Sequence, residues 1–231
     1  MNKRLTLIQL DVHVKDVEYN YNRVTELLHE SLSHNPDIIV LPETWNTGFY
    51  PSTELINYAD ANGERTLSLL STFAREHEVN IVGGSVAVAI DNKVYNTSYT
   101  FNRSGTLVGE YSKIHGFSPA KEEIYFAGGT KTTHFELDGI PCSTVICYDI
   151  RFPELVRMAA LPHTELLFVP AQWPTMRLRH WQVLNEVRAI ENQLFLCAVI
   201  GCCAIGLVQS TGHAAVYDPW GTNLLEMDTN E

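Results

Sequence analysis

Three side chains in this sequence are of types that together can break an acyl bond: a thiol at Cys147, a carboxylate at Glu43 and an ammonium at Lys113. A thiol with a pKa near 8.5 is mostly protonated at neutral pH and needs a base or a cation beside it. Glu43 supplies the base and Lys113 the cation. The Cys147–Tyr148 peptide, leading toward a helix N-terminus, offers N–H groups to an oxyanion. Alone, each residue has a plainer reading. A cysteine at a strand end is usually a small core residue, a Glu after Pro a solvated or capping acid, and a lone Lys a surface charge. The combination carries weight because of where the three fall.

All three follow apolar, strand-like runs, and reactive groups in α/β proteins collect beyond the carboxyl ends of strands. Glu43 follows D-I-I-V-L-P, Lys113 a run ending at Glu110-Tyr111, and Cys147 the run C-S-T-V-I. Gln172-Trp173 follows E-L-L-F-V-P-A in the same way. The elements that must hold them are legible as periodicities. Residues 5–10 read as a strand. Tyr21, Val24, Leu27, Leu28 and Leu32 recur at the spacing of a helix over 17–33. Strands are expected at 37–41 and 81–90, a helix at 66–77, and a period-two pair at 94–101 and 106–111. The second half repeats the logic, with strands at 141–147, 165–169 and 193–201 and helices at 153–160 and 175–192. A hairpin over 213–217 and 223–227 closes it. No Pro/Gly/Ser-rich linker interrupts the alternation, so residues 1–231 are expected to form one α/β domain with helices covering sheets.

Composition narrows the partners. The chain has 231 residues and a formal charge of −11, which disfavours a nucleic-acid partner needing clustered Lys and Arg. With no long apolar run and no signal-peptide core, it reads as soluble and cytoplasmic, with no membrane partner. Five cysteines, an odd number without C-x-x-C spacing, suit reduced thiols. No H-E-x-x-H or paired ligand spacing occurs, so no metal is expected; without G-x-G-x-x-G or a P-loop, nucleotide binding is disfavoured. Ser85, in G-G-S-V-A, lacks the last glycine of a nucleophile elbow and reads as packing. Asn96-Thr97-Ser98 reads as a chance glycosylation match. A Cys147 pair with His163, His180 or His213 stays open.

The segments L-P-E-T-W at 41–45, Y-S-K-I-H at 111–115 and C-Y-D-I-R-F-P-E at 147–154 resemble the three signatures of the nitrilase, or carbon–nitrogen hydrolase, superfamily. R-A-I-E-N-Q at 188–193 and G-H-A-A-V-Y-D-P-W-G at 212–221 extend the resemblance across the chain. It implies a four-layer αββα sandwich, usually paired as a homodimer. It also implies Glu43 as general base, Lys113 as oxyanion-stabilising cation and Cys147 as nucleophile, with no cofactor. A second glutamate seven residues before a glycine selects Glu122 over Glu123. P-A-Q-W-P at 170–174, Arg177 and His180-Trp181 resemble the ω-amidase branch, whose substrates are small ω-amides such as 2-oxoglutaramate. In that reading Tyr148, Arg151 and Trp173 contact the substrate. Arg151 has an equal structural alternative, an ion pair with an acid such as Glu154. Other readings are an N-carbamoyl hydrolase, whose second arginine corresponds to Ile150 here, a nitrile hydrolase, or a non-catalytic binding relative. Two departures stand out. Residues 201–206 replace a more polar segment of the family, and the chain ends at Glu231, ahead of the C-terminal segment of relatives.

Overall fold

The computed structural model describes residues 3–161, 163–202 and 212–231, together with the backbone of 204–205 and 208–209. The first half forms a sheet from β1 (Leu5–Leu7), β2 (Ile38–Val40), β3 (Asp60–Ala61), β4 (Asn80–Val82), β5 (Val86–Ile90), β6 (Lys93–Phe101) and β7 (Leu107–Ser112). Helices α1 (Val17–Ser31) and α2 (Glu64–His77) belong to this half, and the single turn α3 (Glu122–Tyr125) follows it. The second sheet uses β8 (His134–Leu137), β9 (Ile140–Thr144), β10 (Leu166–Ala171) and β11 (Phe195–Ile200). A two-stranded ribbon of β12 (Ala204–Ile205) and β13 (Val208–Gln209) stands apart from it. The sheet resumes with the hairpin β14 (Ala215–Tyr217) and β15 (Asn223–Glu226), in the order β15-β14-β11-β10-β9-β8. Its helices are α4 (Pro153–Ala160) and α5 (Leu178–Asn192).

Alternation of strand side chains creates the layers. Ile39 and Leu41, with Ile8 and Ile81, pack with Tyr21, Val24 and Leu28 of α1 and Leu70 and Phe73 of α2. Their neighbours Ile38 and Val40, with Leu7 and Val82, pack instead with Phe135, Leu137, Val145 and Phe168 of the second sheet. Leu155, Val156 and Ala159 of α4 and Trp181 and Ala189 of α5 cover that sheet. The expected αββα sandwich results, and each fully buried aliphatic or aromatic side chain in it contributes about 1.5–3 kcal/mol relative to exposure. Among the described residues, no helix is long and apolar enough to cross a membrane.

The stretch 81–90 is not the single strand its apolar pattern predicts. It breaks at Gly83-Gly84-Ser85 into β4 and β5, which pair one after the other along the same edge of β6. Gly84 has φ +59°, and a Cβ there would lie 2.0 Å from the Pro42 carbonyl oxygen, so the break presses directly against the chain entering Glu43. Ser85 therefore packs, as expected, but as a brace rather than a strand residue. Its Oγ accepts from Thr44 N at 3.0 Å, its carbonyl from Trp45 N at 3.1 Å, and its N–H donates to Pro42 O at 3.0 Å. The elements the periodicity did not reveal are β3, β8, β12, β13 and α3, of two to four residues each, too short to display a period.

Candidate active site

Glu43 leaves β2 through Pro42 and sits fully buried in a turn whose next residue, Thr44, has φ +43°. Its Oε1 accepts from Lys113 Nζ and from Asn96 Nδ2, each at 2.8 Å. Its Oε2 accepts from the backbone N–H of Gln172 at 2.7 Å, and the Gln172 side chain returns a bond to Glu43 O at 2.9 Å. Lys113 arrives from the end of β7 and lies between two acids: Nζ also donates to both carboxylate oxygens of Glu122, at 2.9 and 2.8 Å. Glu122 opens α3, and its Oε2 accepts from Phe117 N at 2.6 Å.

Cys147 follows β9 at the head of a 3-10 turn, Cys147–Arg151, with φ +49°. A non-glycine residue held there is strained, a cost accepted where a side chain must be aimed. Its Sγ is 3.5 Å from Gln172 O, with the Glu43 carboxylate close enough to act on it electrostatically. Burial, reinforced by the negative Glu43 and only partly opposed by Lys113, pushes the thiol well above its ordinary range. These surroundings, burial and the neighbouring Glu43, disfavour the thiolate relative to an ordinary cysteine. For Lys113, burial would remove the proton, but Glu122 and Glu43 override it and hold the ammonium well above its usual value. Glu122 moves upward through burial, resisted by Lys113 and assisted by Glu43.

The turn at Cys147 is fixed by a carboxylate that spacing did not reveal. Asp149, fully buried, accepts from Tyr111 Oη at 2.7 Å, from His115 N at 2.9 Å and from Ile146 N at 3.1 Å. The His115 ring, 3.0 Å from Asp149 Oδ1, stacks on Phe152 with centroids 3.5 Å apart. One carboxylate thereby ties the chain entering Cys147 to the Lys113 segment. Asp149→Asn replaces one acceptor oxygen with an NH2 donor that faces converging donors, and is expected to lower unfolding free energy by about 2–4 kcal/mol. Turnover should fall about a hundredfold, because small displacements of a nucleophile are costly. Urea unfolding and kcat, measured together, check both; unchanged values would remove this role.

Cys147 opens onto a narrow cleft lined by Phe49, Phe117, Tyr148, Arg151, Gln172, Trp173, Pro174 and Arg177. Glu43, Lys113, Glu122 and Cys147 thus meet in one cluster, and Tyr148, Arg151 and Trp173 stand together at its mouth. Arg151 makes no ion pair with Glu154. Its Nη2 lies 3.2 Å from His180 Nδ1 and its guanidinium 4.9 Å from the Trp173 ring centroid. Burial, together with the neighbouring Arg177, lowers its pKa from the ordinary arginine value. No Cys–His pair forms among the described residues: His180 meets Arg151, and His213 is 3.0 Å from Glu226. Cys142, Cys147 and Cys197 are free thiols. The substituted segment 201–206 falls largely outside the described side chains. Asn96, set aside as a glycosylation match, is buried in β6 and donates to Glu43. Its position one strand from Lys113, through the Asn96 O to Lys113 N bond of 2.9 Å, was the available signal.

Comparison with known proteins places the chain in a family. The family model described as carbon-nitrogen hydrolase matches residues 4–231. The chain is 39% identical over 229 residues to a 2-oxoglutaramate amidase of Bacillus subtilis (strain 168), covering 98% of this chain and 86% of that one. It is 31% identical over 237 residues to omega-amidase NIT2 of Mus musculus, covering 99% and 85%. Among solved structures it resembles a CN-hydrolase superfamily protein of Xanthomonas campestris, determined with an arsenic adduct in its active site. The TM-score is 0.91 at 30% identity, covering 100% of this chain and 88% of the other.

Proposed function

The chain belongs to the carbon–nitrogen hydrolase family, and on that premise we propose that it removes the terminal amide of a small carboxylated amide such as 2-oxoglutaramate. It is an amidase-type carbon–nitrogen hydrolase. The observation that carries the substrate reading is a buried thiol paired with a carboxylate, in a cleft whose charged lining side chains are two arginines.

In this reading the Cys147 sulfur attacks the amide carbonyl while Glu43 takes the thiol proton. The tetrahedral oxyanion is held by Lys113 Nζ and the Tyr148 backbone N–H; losing one such donor costs about 3–4 kcal/mol. In the resting site all three Lys113 protons point to Glu43 and Glu122. Protonation of Glu43 loosens one of these bonds as the oxyanion forms, while Glu122 keeps the ammonium in place. The C–N bond then breaks, and the nitrogen leaves as ammonia with the proton from Glu43. Water, deprotonated by Glu43, cleaves the thioester; the acid departs and the thiol is restored. No step calls for a cofactor.

Arg151 and Arg177 are the proposed partners of the substrate's distal carboxylate, with Trp173 shaping the wall. Ile150, the position of the second arginine in carbamoyl amino acid hydrolases, is fully buried in the core, so the second cation comes from Arg177 instead. Arg151→Met and Arg177→Met should each raise KM for 2-oxoglutaramate by about 10- to 100-fold, the worth of a charge-assisted hydrogen bond. Hydrolysis of an uncharged short amide such as propionamide should be nearly unaffected. Equal losses on both substrates would assign the arginines to the fold. An ammonia-release screen over amides, carbamoyl acids and nitriles tests the reaction class, and turnover confined to nitriles or carbamoyl acids would overturn it.

The reading extends to a homodimer formed through the α4–α5 face, where Met158, Val187, Ile190 and Trp220 are exposed. It also places the enzyme in the cytoplasm, in keeping with its buried free thiols. Sedimentation velocity tests the dimer.

A further inference from the structure

A second cavity, with room for about 80 Å³, touches the Glu43–Lys113–Glu122 cluster without sharing a lining residue with the substrate cleft. Its walls include Asn96, Lys113, Glu122, Glu123, Ala127 and Gly128. Phe126, Ala127 and Glu123 also line an exposed groove, so the cavity communicates with the surface beside α3; Lys93 lines that groove as well.

The polar lining is one-sided. The Lys113 protons are committed to carboxylates, leaving Glu122 and Glu123 as acceptors. Asn96, 1% exposed, turns its Nδ2 to Glu43 and Glu122, and its buried Oδ1 has no donor among the described residues. A buried carbonyl oxygen left without a donor costs about 1–3 kcal/mol, so this wall favours a small ligand rich in N–H donors, as ammonia and ammonium both are. The substrate cleft is the reverse, with guanidinium groups and no acid in its lining. Asn96 and Lys113 each touch both Glu43 and the cavity, so one layer of side chains separates the leaving nitrogen from it.

We propose that ammonia formed at Glu43 leaves through this α3-side cavity, while the carboxylate product leaves through the arginine-lined cleft; this rests on the thioester reading above. The C–N bond breaks with its electron pair going to nitrogen, which already carries the proton delivered by Glu43. Ammonia then takes one further proton from solvent to become ammonium, which the acidic mouth at Glu123 attracts. The acyl group meanwhile fills the cleft, whose arginines repel a cation.

Two variants test the route, Ala127→Leu to fill the cavity and Glu123→Gln to neutralise its mouth. Glu123 makes no ion pair among the described residues, and its isosteric amide leaves the fold undisturbed. The measurements are kcat for 2-oxoglutaramate and the incorporation of label from 15N-ammonium chloride into unlabelled amide during turnover, with sodium chloride matching ionic strength. Ala127→Leu should lower kcat and label incorporation about tenfold. It should leave turnover of the matching methyl ester unchanged, because that substrate forms the same thioester but releases methanol. Glu123→Gln should lower incorporation about two- to fivefold, the scale of one exposed charge. Equal losses on amide and ester, or unchanged incorporation in Glu123→Gln, overturn the proposal. A wild-type enzyme releasing no ammonia from any amide refutes the amidase reading itself, which the other outcomes leave standing.

Discussion

Cys147→Ala is expected to abolish ammonia release from 2-oxoglutaramate, lowering kcat by about four to six orders of magnitude, the loss seen when a covalent nucleophile is removed from an otherwise intact site. The fold should survive. Alanine inherits the same φ of +49° without added strain, and the Asp149 bonds that hold the turn do not involve the sulfur. Thermal unfolding should therefore shift little, which separates a chemical defect from a structural one. Intact-mass measurement sharpens the test. Wild-type enzyme mixed with substrate should show an adduct of the acyl mass on Cys147, and the variant none. Persistent turnover in Cys147→Ala, or an acyl adduct on another residue, would end the thioester mechanism. Because burial and the neighbouring Glu43 disfavour the thiolate, brief alkylation should also be slower in wild type than at a free, exposed cysteine.

Lys113→Met should produce the largest stability loss. In the folded protein one ammonium stands between two buried carboxylates, Glu43 and Glu122, at 2.8 Å from each. Removing one partner of a buried ion pair costs about 3–5 kcal/mol, because the remaining charge has lost its compensation. Here two like charges are left facing each other. The pH dependence has a definite sign. Glu122 is already raised above 4.5 in the folded state, by burial first, and loss of Lys113 raises it further. A carboxyl whose folded pKa exceeds its unfolded one favours the folded state at low pH and loses that contribution as pH rises through the folded value. The deficit of Lys113→Met relative to wild type should therefore shrink as pH falls toward about 4.5. Urea titrations at several pH values measure it. A deficit that is constant or grows in acid would show that the two carboxylates do not share the lysine's charge. Turnover should be lost as well, since no other ammonium lies in the cluster among the described residues.

These two residues show why the site could be read as far as it was. Cys147, Glu43 and Lys113 each end a strand, and strand ends are local features visible in an apolar run and its terminating proline or turn. The layered fold was legible for the same reason: alternating apolar runs and helical spacings are written over five to fifteen neighbouring residues. The exception at 81–90 is instructive. Its composition satisfies a strand throughout, and only contact with Pro42 explains why Gly83-Gly84 must break it.

The sequence by itself determined which chemistries were available and which elements would carry them, because side-chain type and short-range period are local properties. Tertiary structure alone decided the state of the site. Glu43 meets the Gln172 backbone across 129 residues and Lys113 across 70, separations over which no pattern in the chain reports distance. It also chose Asp149 as the brace of the nucleophile turn, brought Asn96 to the acid, and placed Arg177 beside Arg151. It buried the thiol beside Glu43, where the anion is disfavoured. Burial and the approach of distant charges fix these outcomes, and both exist only once the two sheets have packed.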